Sequence, residues 1–215
     1  MRKFFKIIPV IILFLLIIQV MPIDSLQNTN DFFYLEKSIM SKSKFVENGI
    51  RIEYETKNNL NDEIGIIKNN LKKNNYKNII EEDNNIFIKD KHRDIEIHLW
   101  KDKNITKVQV SYINTNKNFT TIELEKEIEQ LQDITIKNIK YFYFIKVKII
   151  KEDKKDILDI IKKNMKINSL EVLNISNGMI AKGILKEGSK VNFADVTYDT
   201  GEYLILGTPV IFITY

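Results

Sequence analysis

The sequence predicts an α+β fold with antiparallel sheet, and two observations favour it. Apolar and polar residues alternate along several short segments, as in half-buried strands, while other segments repeat apolar residues every three or four positions, as amphipathic helices do. The strand-like segments also follow one another in runs of four, joined by short polar turns. Strands that succeed one another in this way meander into an antiparallel sheet with the helices to one side.

The first half of the chain is expected to contain two helices and five strands. Gly49 is expected to end the first helix, and polar residues at 83–85 and 102–104 are expected to form turns. The predicted helices cover 31–44 and 59–75, and the predicted strands cover 50–55, 76–81, 86–89, 94–100 and 106–113.

The second half repeats this order. Thr120 to Glu123 form a capping box that starts a third helix, and Asp153 is expected to cap a fourth. The residues expected to face inward from the third helix are Ile122, Leu124, Ile128 and Leu131. The predicted strands cover 140–150, 170–175, 179–185, 191–197 and 203–214. The sequence therefore predicts a duplicated helix–strand–helix–four-strand unit, with half-units of about 31–115 and 120–215.

The N-terminal segment predicts export from the cytoplasm. Arg2, Lys3 and Lys6 precede an unbroken apolar run over 7–18, and this basic head with an apolar core is typical of a signal peptide. Residues 19–24 contain no pair of small residues for a signal peptidase, and Phe4 and Val20 extend the apolar run. Residues 1–23 are therefore expected to be either a cleaved signal peptide or a retained membrane anchor, followed by a linker over 24–30 and one domain over 31–215.

Charge and cysteine content restrict the function. The chain of 215 residues has a formal net charge of +4, of which Arg2, Lys3 and Lys6 supply three. The remainder is nearly neutral, whereas a duplex-binding surface usually has a clear basic excess, so nucleic acid is not the expected partner. The chain has no cysteine, which excludes disulfides and thiolate sites.

The tripeptide Asp199-Thr200-Gly201 also occurs in aspartic proteases. That chemistry needs two carboxylates sharing a proton, and the chain has no second Asp-Thr-Gly. The same three residues between two apolar strands are typical of a hairpin turn in which Gly has a positive φ. We expect the turn.

A predicted strand places two histidines and two carboxylates on one face: His92, Asp94, Glu96 and His98. This residue set suggests a metal site or an envelope enzyme. Alternate residues on a strand lie about 6.6 Å apart, however, so all four cannot converge on one ion. The solvated face of an amphipathic strand is the favoured interpretation, and no catalytic, cofactor-binding or metal-binding residue is predicted.

The aromatic run over 141–144 gives the candidate binding residues. Phe142 and Phe144 share one face of a predicted strand, with Tyr141 and Tyr143 on the other. Such a pair could wedge into a DNA minor groove, form an exposed patch that docks a protein, or belong to a central strand buried on both sides. The near-neutral charge disfavours DNA, and the other two interpretations stay open.

The C-terminal residues 201–215, with the sequence GEYLILGTPVIFITY, carry a resemblance. Their (I/L)-G-T-P-(V/I)-I run, ending on an aromatic residue, resembles the closing strand of the YwmB-like family of exported proteins from endospore-forming Gram-positive bacteria. Length, leader and element order agree over nearly the whole chain. The resemblance implies a duplicated α+β saddle like that of the TATA-box-binding protein. No functional residue transfers, because the family has no established active-site motif, and Gly207-Thr208-Pro209 is expected to kink the last strand.

These observations together predict a non-enzymatic extracytoplasmic protein, a binding or structural module at the cell envelope. Its partner is expected to be an envelope protein, a peptide or a wall polymer, and no cofactor is expected. Two alternatives are nucleic-acid binding by the saddle and an envelope enzyme that uses the face of His92, Asp94, Glu96 and His98.

Overall fold

The computed structural model describes residues 30–132 and 136–213. The predicted signal peptide or anchor over 1–23 and the linker up to residue 29 lie outside the described residues. Within the described part of the chain, no helix has the length and apolar character needed to cross a membrane.

The described residues form four α-helices and ten strands, which confirms the predicted α+β class. The helices are α1 (Asn30–Met40), α2 (Leu60–Lys73), α3 (Thr121–Glu129) and α4 (Lys154–Asn164), the last preceded by a single 3₁₀ turn, Lys151–Asp153. The strands are β1 (Ser43–Thr56), β2 (Ile79–Glu82), β3 (Asn85–Lys89), β4 (Arg93–Asp102), β5 (Ile105–Asn114), β6 (Lys137–Ile149), β7 (Glu171–Ile175), β8 (Gly178–Ile184), β9 (Lys190–Tyr198) and β10 (Gly201–Thr208).

All ten strands belong to one antiparallel sheet. Their order is β2-β3-β4-β5-β1-β6-β10-β9-β8-β7, so β1 and β6 lie side by side in the centre and β2 and β7 form the two edges. The register of the central pair places Ile50 opposite Tyr143 and Gly49 opposite Phe144. This pairing joins the first five strands to the last five.

Local sequence explains the helices. Asn59 precedes α2, and its side-chain oxygen accepts a hydrogen bond from the backbone N–H of Asp62 at 3.0 Å. Ile64, Ile67 and Leu71 then recur at helical spacing and are buried. The second predicted helix is thus confirmed, with ends within two residues of the expectation.

The main core lies between the helices and one face of the sheet. Apolar residues from all four helices and from strands on both sides of the centre form a single cluster there. This core contains a buried carboxylate. Glu36 of α1 accepts hydrogen bonds from Asn48 Nδ2 at 3.1 Å and from the N–H of Thr121 at 3.1 Å. Burial raises the pKa of Glu36, which these hydrogen bonds oppose. The arrangement ties α1, β1 and α3 together.

Several local predictions are wrong. Asp153 precedes α4, but its side chain makes no capping hydrogen bond. Gly49 does not end a helix: α1 stops at Met40 and Gly49 lies within β1. Ile122, predicted to face inward, is 39 % exposed, because Thr121 and Leu124 take the buried positions of α3. The last strand ends at Thr208, six residues early, since Pro209 has no N–H to continue a ladder.

The hairpin predicted at Asp199-Thr200-Gly201 is confirmed. Tyr198 pairs with Gly201, so Asp199 and Thr200 form a two-residue turn between β9 and β10. Gly201 has φ +132°, a conformation that side-chain-bearing residues rarely adopt. Asp199 is exposed in this turn.

Candidate binding surface

The two faces of the sheet differ in what covers them. Along β6, Tyr143, Ile145 and Val147 point into the core with the helices, so Phe142 and Phe144 point to the opposite side. We call this opposite side the open face. A second apolar cluster, of Ala194, Val196 and Ile205, lies on it and contains no helical residue.

Phe144 is buried on the open face although no helix covers it there; its relative exposure is 0 %. In the register of the sheet it lies directly between two glycines, Gly49 of β1 and Gly207 of β10. Its ring meets Phe212 edge to face, with the centroids 5.1 Å apart. One of the two predicted binding residues is therefore covered by the chain's own C-terminal end.

Residues Pro209–Ile213, which we call the C-terminal segment, fold back across the open face. A Cβ added to Gly207 would lie 2.9 Å from the Cα of Ile211 and from the carbonyl oxygen of Val210, so the backbones approach where only glycine fits. Asn192 Nδ2 donates a hydrogen bond to the carbonyl oxygen of Pro209 at 2.7 Å. These contacts place Phe212 over the centre of the sheet.

Arg51 of β1, also on the open face, packs on the ring of Phe212. Its guanidinium carbon lies 4.7 Å from the centroid of Phe212, within cation–π range, and its Nε donates to Ser111 Oγ at 3.0 Å. Burial lowers the pKa of Arg51, and Glu53 and Glu96 act in the opposite direction. Phe142, which is opposite Arg51 in the β1–β6 register, is partly exposed.

Two grooves flank the C-terminal segment. The polar groove has a volume of about 340 Å³ and is lined by Glu47, Arg51, Asp94, Glu96, Ser111, Ile113, Phe212 and Ile213. The apolar groove has a volume of about 510 Å³ and is lined by Glu171, Val172, Leu173, Ile180, Ala181, Lys182, Asn192, Phe193, Val210 and Ile211. The C-terminal segment thus forms one wall of each groove.

Two lysines of β6 on the open face, Lys146 and Lys148, are engaged by neighbours. Lys146 Nζ lies 3.4 Å from a carboxylate oxygen of Glu47, and Lys148 Nζ donates to the carbonyl oxygen of Thr200. Both ammonium groups also lie 5.8 Å from the ring centroid of Tyr203. The charge of Lys146 is therefore paired with a carboxylate, whereas Lys148 is held by a carbonyl oxygen and an aromatic ring.

The four polar residues predicted to share a strand face are not brought together. His98 Nδ1 lies 2.7 Å from Asn85 Oδ1, while Asp94 forms an ion pair with Lys89 at 2.7 Å. His92 precedes β4, and its Nδ1 lies 3.2 Å from Thr115 Oγ1. Only Glu96 and His98 are close, at 3.6 Å. In the described ranges no group of three or more such side chains is placed to hold a metal ion.

The residues that shape the centre of the open face include three that sequence reasoning missed: Gly49, Arg51 and Phe212. The sequence pattern places Gly49 at a helix end and Phe212 in the last strand. The kink expected at Gly207-Thr208-Pro209 is the signal for Phe212, since a proline ends a ladder and lets the following apolar residues fold back.

Comparison of the chain with known proteins gave no family: no protein-family profile matches it, and no curated protein sequence matches it.

Proposed function

We propose that the chain is a non-enzymatic binding or structural module that works outside the cytoplasm, at the cell envelope. The open face of its sheet holds the partner, which is an envelope protein, a peptide or a wall polymer. One observation carries this proposal: the helices pack on a single face, and the other face presents two grooves, one on each side of the C-terminal segment. The location rests on the N-terminal sequence, a basic head before an apolar run.

The same proposal includes a duplicated saddle of the TATA-box-binding-protein type. The element order helix, strand, helix, four strands occurs once before Asn114 and once after it. The strand order also supports two copies, because β1 and β6 meet in the centre and β2 and β7 occupy equivalent edges. The residues over 201–215 support membership of the YwmB-like family.

The polar side chains of β4 support binding over catalysis. Asp94 is paired with Lys89, and His98 is engaged by Asn85. A catalytic base or nucleophile needs a second reactive group within hydrogen-bond reach and a place for substrate beside it. Glu96 beside His98, at 3.6 Å, is the nearest approach to such a pair, and of the two only Glu96 lines the polar groove.

A capture experiment from the envelope fraction tests the proposal. The chain from residue 24 onward is immobilised beside two matched variants, Phe142→Ala on the open face and Tyr34→Ala on α1, where Tyr34 is 76 % exposed. We expect one partner to be retained by the unaltered chain and by Tyr34→Ala and to be lost from Phe142→Ala, with all three showing the same thermal unfolding.

Three results would overturn the proposal. Capture that is equally strong with Phe142→Ala would remove the open face as the binding surface. Recovery of the native protein in the cytoplasmic fraction would remove the location. A specific hydrolase activity of the purified chain, abolished by His98→Ala, would replace binding with catalysis.

A further inference from the structure

The C-terminal segment (Pro209–Ile213) occupies the centre of the open face as a bound peptide would. Phe212 packs on Phe144 and lies under the guanidinium of Arg51. Ile211 and Ile213 pack against the apolar cluster of Ala194, Val196 and Ile205. The segment therefore covers the residues from which a partner would gain most binding energy, an aromatic ring and an arginine.

The C-terminal segment covers a hydrophobic surface but pairs with no strand of the sheet. Its backbone belongs to no strand, and Asn192 provides a side-chain hydrogen bond to Pro209 at 2.7 Å. Val210 remains 46 % exposed, and the other four residues are only partly buried. The last ladder pair of β10 is Thr208 with Tyr143, so the sheet is complete without the segment.

The contacts define what the surface selects. An aromatic side chain is favoured at Phe212, since its ring packs edge to face on Phe144 and lies within cation–π range of Arg51. Aliphatic side chains on either side of the aromatic residue face Ile205 and its neighbours. A carbonyl oxygen is required opposite Asn192. An extended polypeptide with alternating aliphatic and aromatic residues meets all three requirements, whereas a sugar polymer meets none of the apolar ones.

We propose that the C-terminal segment masks a peptide-binding groove, and that the partner is an extended aliphatic–aromatic segment of another protein, which displaces it. This inference rests on the proposed function and narrows it to a peptide partner. Because the segment is tethered, it competes at an effective concentration on the order of millimolar. Its removal should raise the apparent affinity for any peptide that uses the same contacts.

The chain's own segment, supplied in trans, is the probe. The test compares the chain over 24–215 with a shortened chain over 24–208, each titrated into a fluorescein-labelled peptide of residues 209–215 and followed by anisotropy. The matched control peptide carries Phe212→Ala. We expect saturable binding to the shortened chain, weaker by about tenfold or more for the control peptide and for the full chain.

Four results would overturn the proposal. A shortened chain that unfolds cooperatively but does not bind the peptide shows that the segment is only a fixed part of the fold. Equal binding of both peptides, or equal binding by both chains, shows that Phe144 and Arg51 do not form the groove. Dimers of the full chain that disappear on shortening would assign the groove to exchange between copies and would also overturn a foreign partner.

A full-length variant tests the masking without the shortened chain. Phe212→Ala keeps every strand but loses the ring on Phe144, so this chain should bind the unaltered peptide more tightly than the native chain does. Tyr34→Ala, on α1 and far from either groove, should bind as the native chain does. If Phe212→Ala binds no better than Tyr34→Ala, the masking proposal fails.

Failure here is distinguishable from failure of the proposed function. Capture from the envelope that depends on Phe142, with no binding of the peptide, would leave a binding module without a masked peptide groove. Binding of the peptide, with no Phe142-dependent capture, would leave the groove without the envelope partner.

Discussion

Gly49 and Phe144 face each other across the central pair of strands, β1 and β6, and the ring of Phe144 lies over the position that a Cβ of Gly49 would take. Because Gly49 has no side chain, the ring of Phe144 from β6 occupies the space above it on the open face. An aromatic side chain over a glycine on the adjacent strand compensates for the packing that the glycine lacks. The centre of the sheet is therefore built around this pair, and Phe212 then covers it.

The first prediction concerns Gly49→Ala. The added methyl would meet the ring of Phe144 and lie 2.5 Å from the carbonyl oxygen of Tyr112, which is backbone and cannot swing away. We expect the free energy of unfolding to fall by about 1–3 kcal/mol, the usual cost of overpacking. Urea denaturation of the chain from residue 24 measures it.

Gly65→Ala is the matched control. A Cβ at Gly65 in α2 meets nothing within 4 Å, so alanine there should stabilise the helix by about 0.5–1 kcal/mol. Opposite signs for the two glycines are expected. If Gly49→Ala is as harmless as Gly65→Ala, the close packing of Phe144 on Gly49 is wrong.

The second prediction concerns the carboxyl pair of Glu187 and Asp31. The backbone N–H of Glu187, in the turn between β8 and β9, donates to Asp31 Oδ2 of α1 at 3.2 Å. Burial raises the pKa of Glu187 to about 7, and the neighbouring Asp31 adds to the rise. We expect Asp31→Asn to lower the pKa of Glu187, measured from the pH titration of its side-chain carboxyl carbon by NMR.

The same pair gives a sign for the pH dependence of stability. The folded state favours the protonated form of Glu187, so its stabilising contribution is complete below the ordinary pKa of 4.5 and is lost as the pH rises through about 7. Glu187→Gln should flatten the change of the urea midpoint between those two values. An unchanged slope in that variant would assign the pH dependence to other groups, Glu36 first among them.

The third prediction is that zinc does not stabilise the protein. His92 and His98 lie six residues apart along one extended stretch, about 20 Å, and each is engaged by a separate polar neighbour. Adding Zn²⁺ should therefore change neither the thermal midpoint of the native chain nor that of His98→Ala. A zinc-dependent rise that His98→Ala abolishes would restore the metal hypothesis.

The fourth prediction is that the chain from residue 24 does not bind duplex DNA with submicromolar affinity at physiological salt. The polar groove contains Glu47, Asp94 and Glu96, and Lys146 is paired with Glu47. Without a basic excess, few counterions are released on binding. A filter-binding titration at two salt concentrations decides it, and tight, salt-sensitive binding would favour a nucleic-acid-binding saddle.

Local patterns predicted most of the elements because their causes are local. Asn59 caps α2 and the Asp199–Thr200 turn joins β9 to β10, and both depend on residues within a few positions. The α+β class follows from the order of such elements. The two glycine positions show the limit: Gly201 is explained by its own φ, whereas Gly49 is explained by a ring from a strand far along the chain.

The candidate surface was predictable only in part for the same reason. Phe142 and Phe144 were placed on one strand face from alternation alone, and the structure puts both on the open face. Their different burial depends on Phe212, which alternation assigned to a continuing strand. Nothing local to Phe144 signals that the C-terminal segment will cover it, because that contact depends on where the chain turns after Thr208.

The central position of β1 in the sheet has a consequence for synthesis. One edge of this 14-residue strand is covered by β5, but its other partner, β6, begins only at Lys137. At usual elongation rates β6 is completed about 2–7 s after β5. For that time β1 is the edge of the partly formed sheet, and its long unpaired side is exposed to association with other chains.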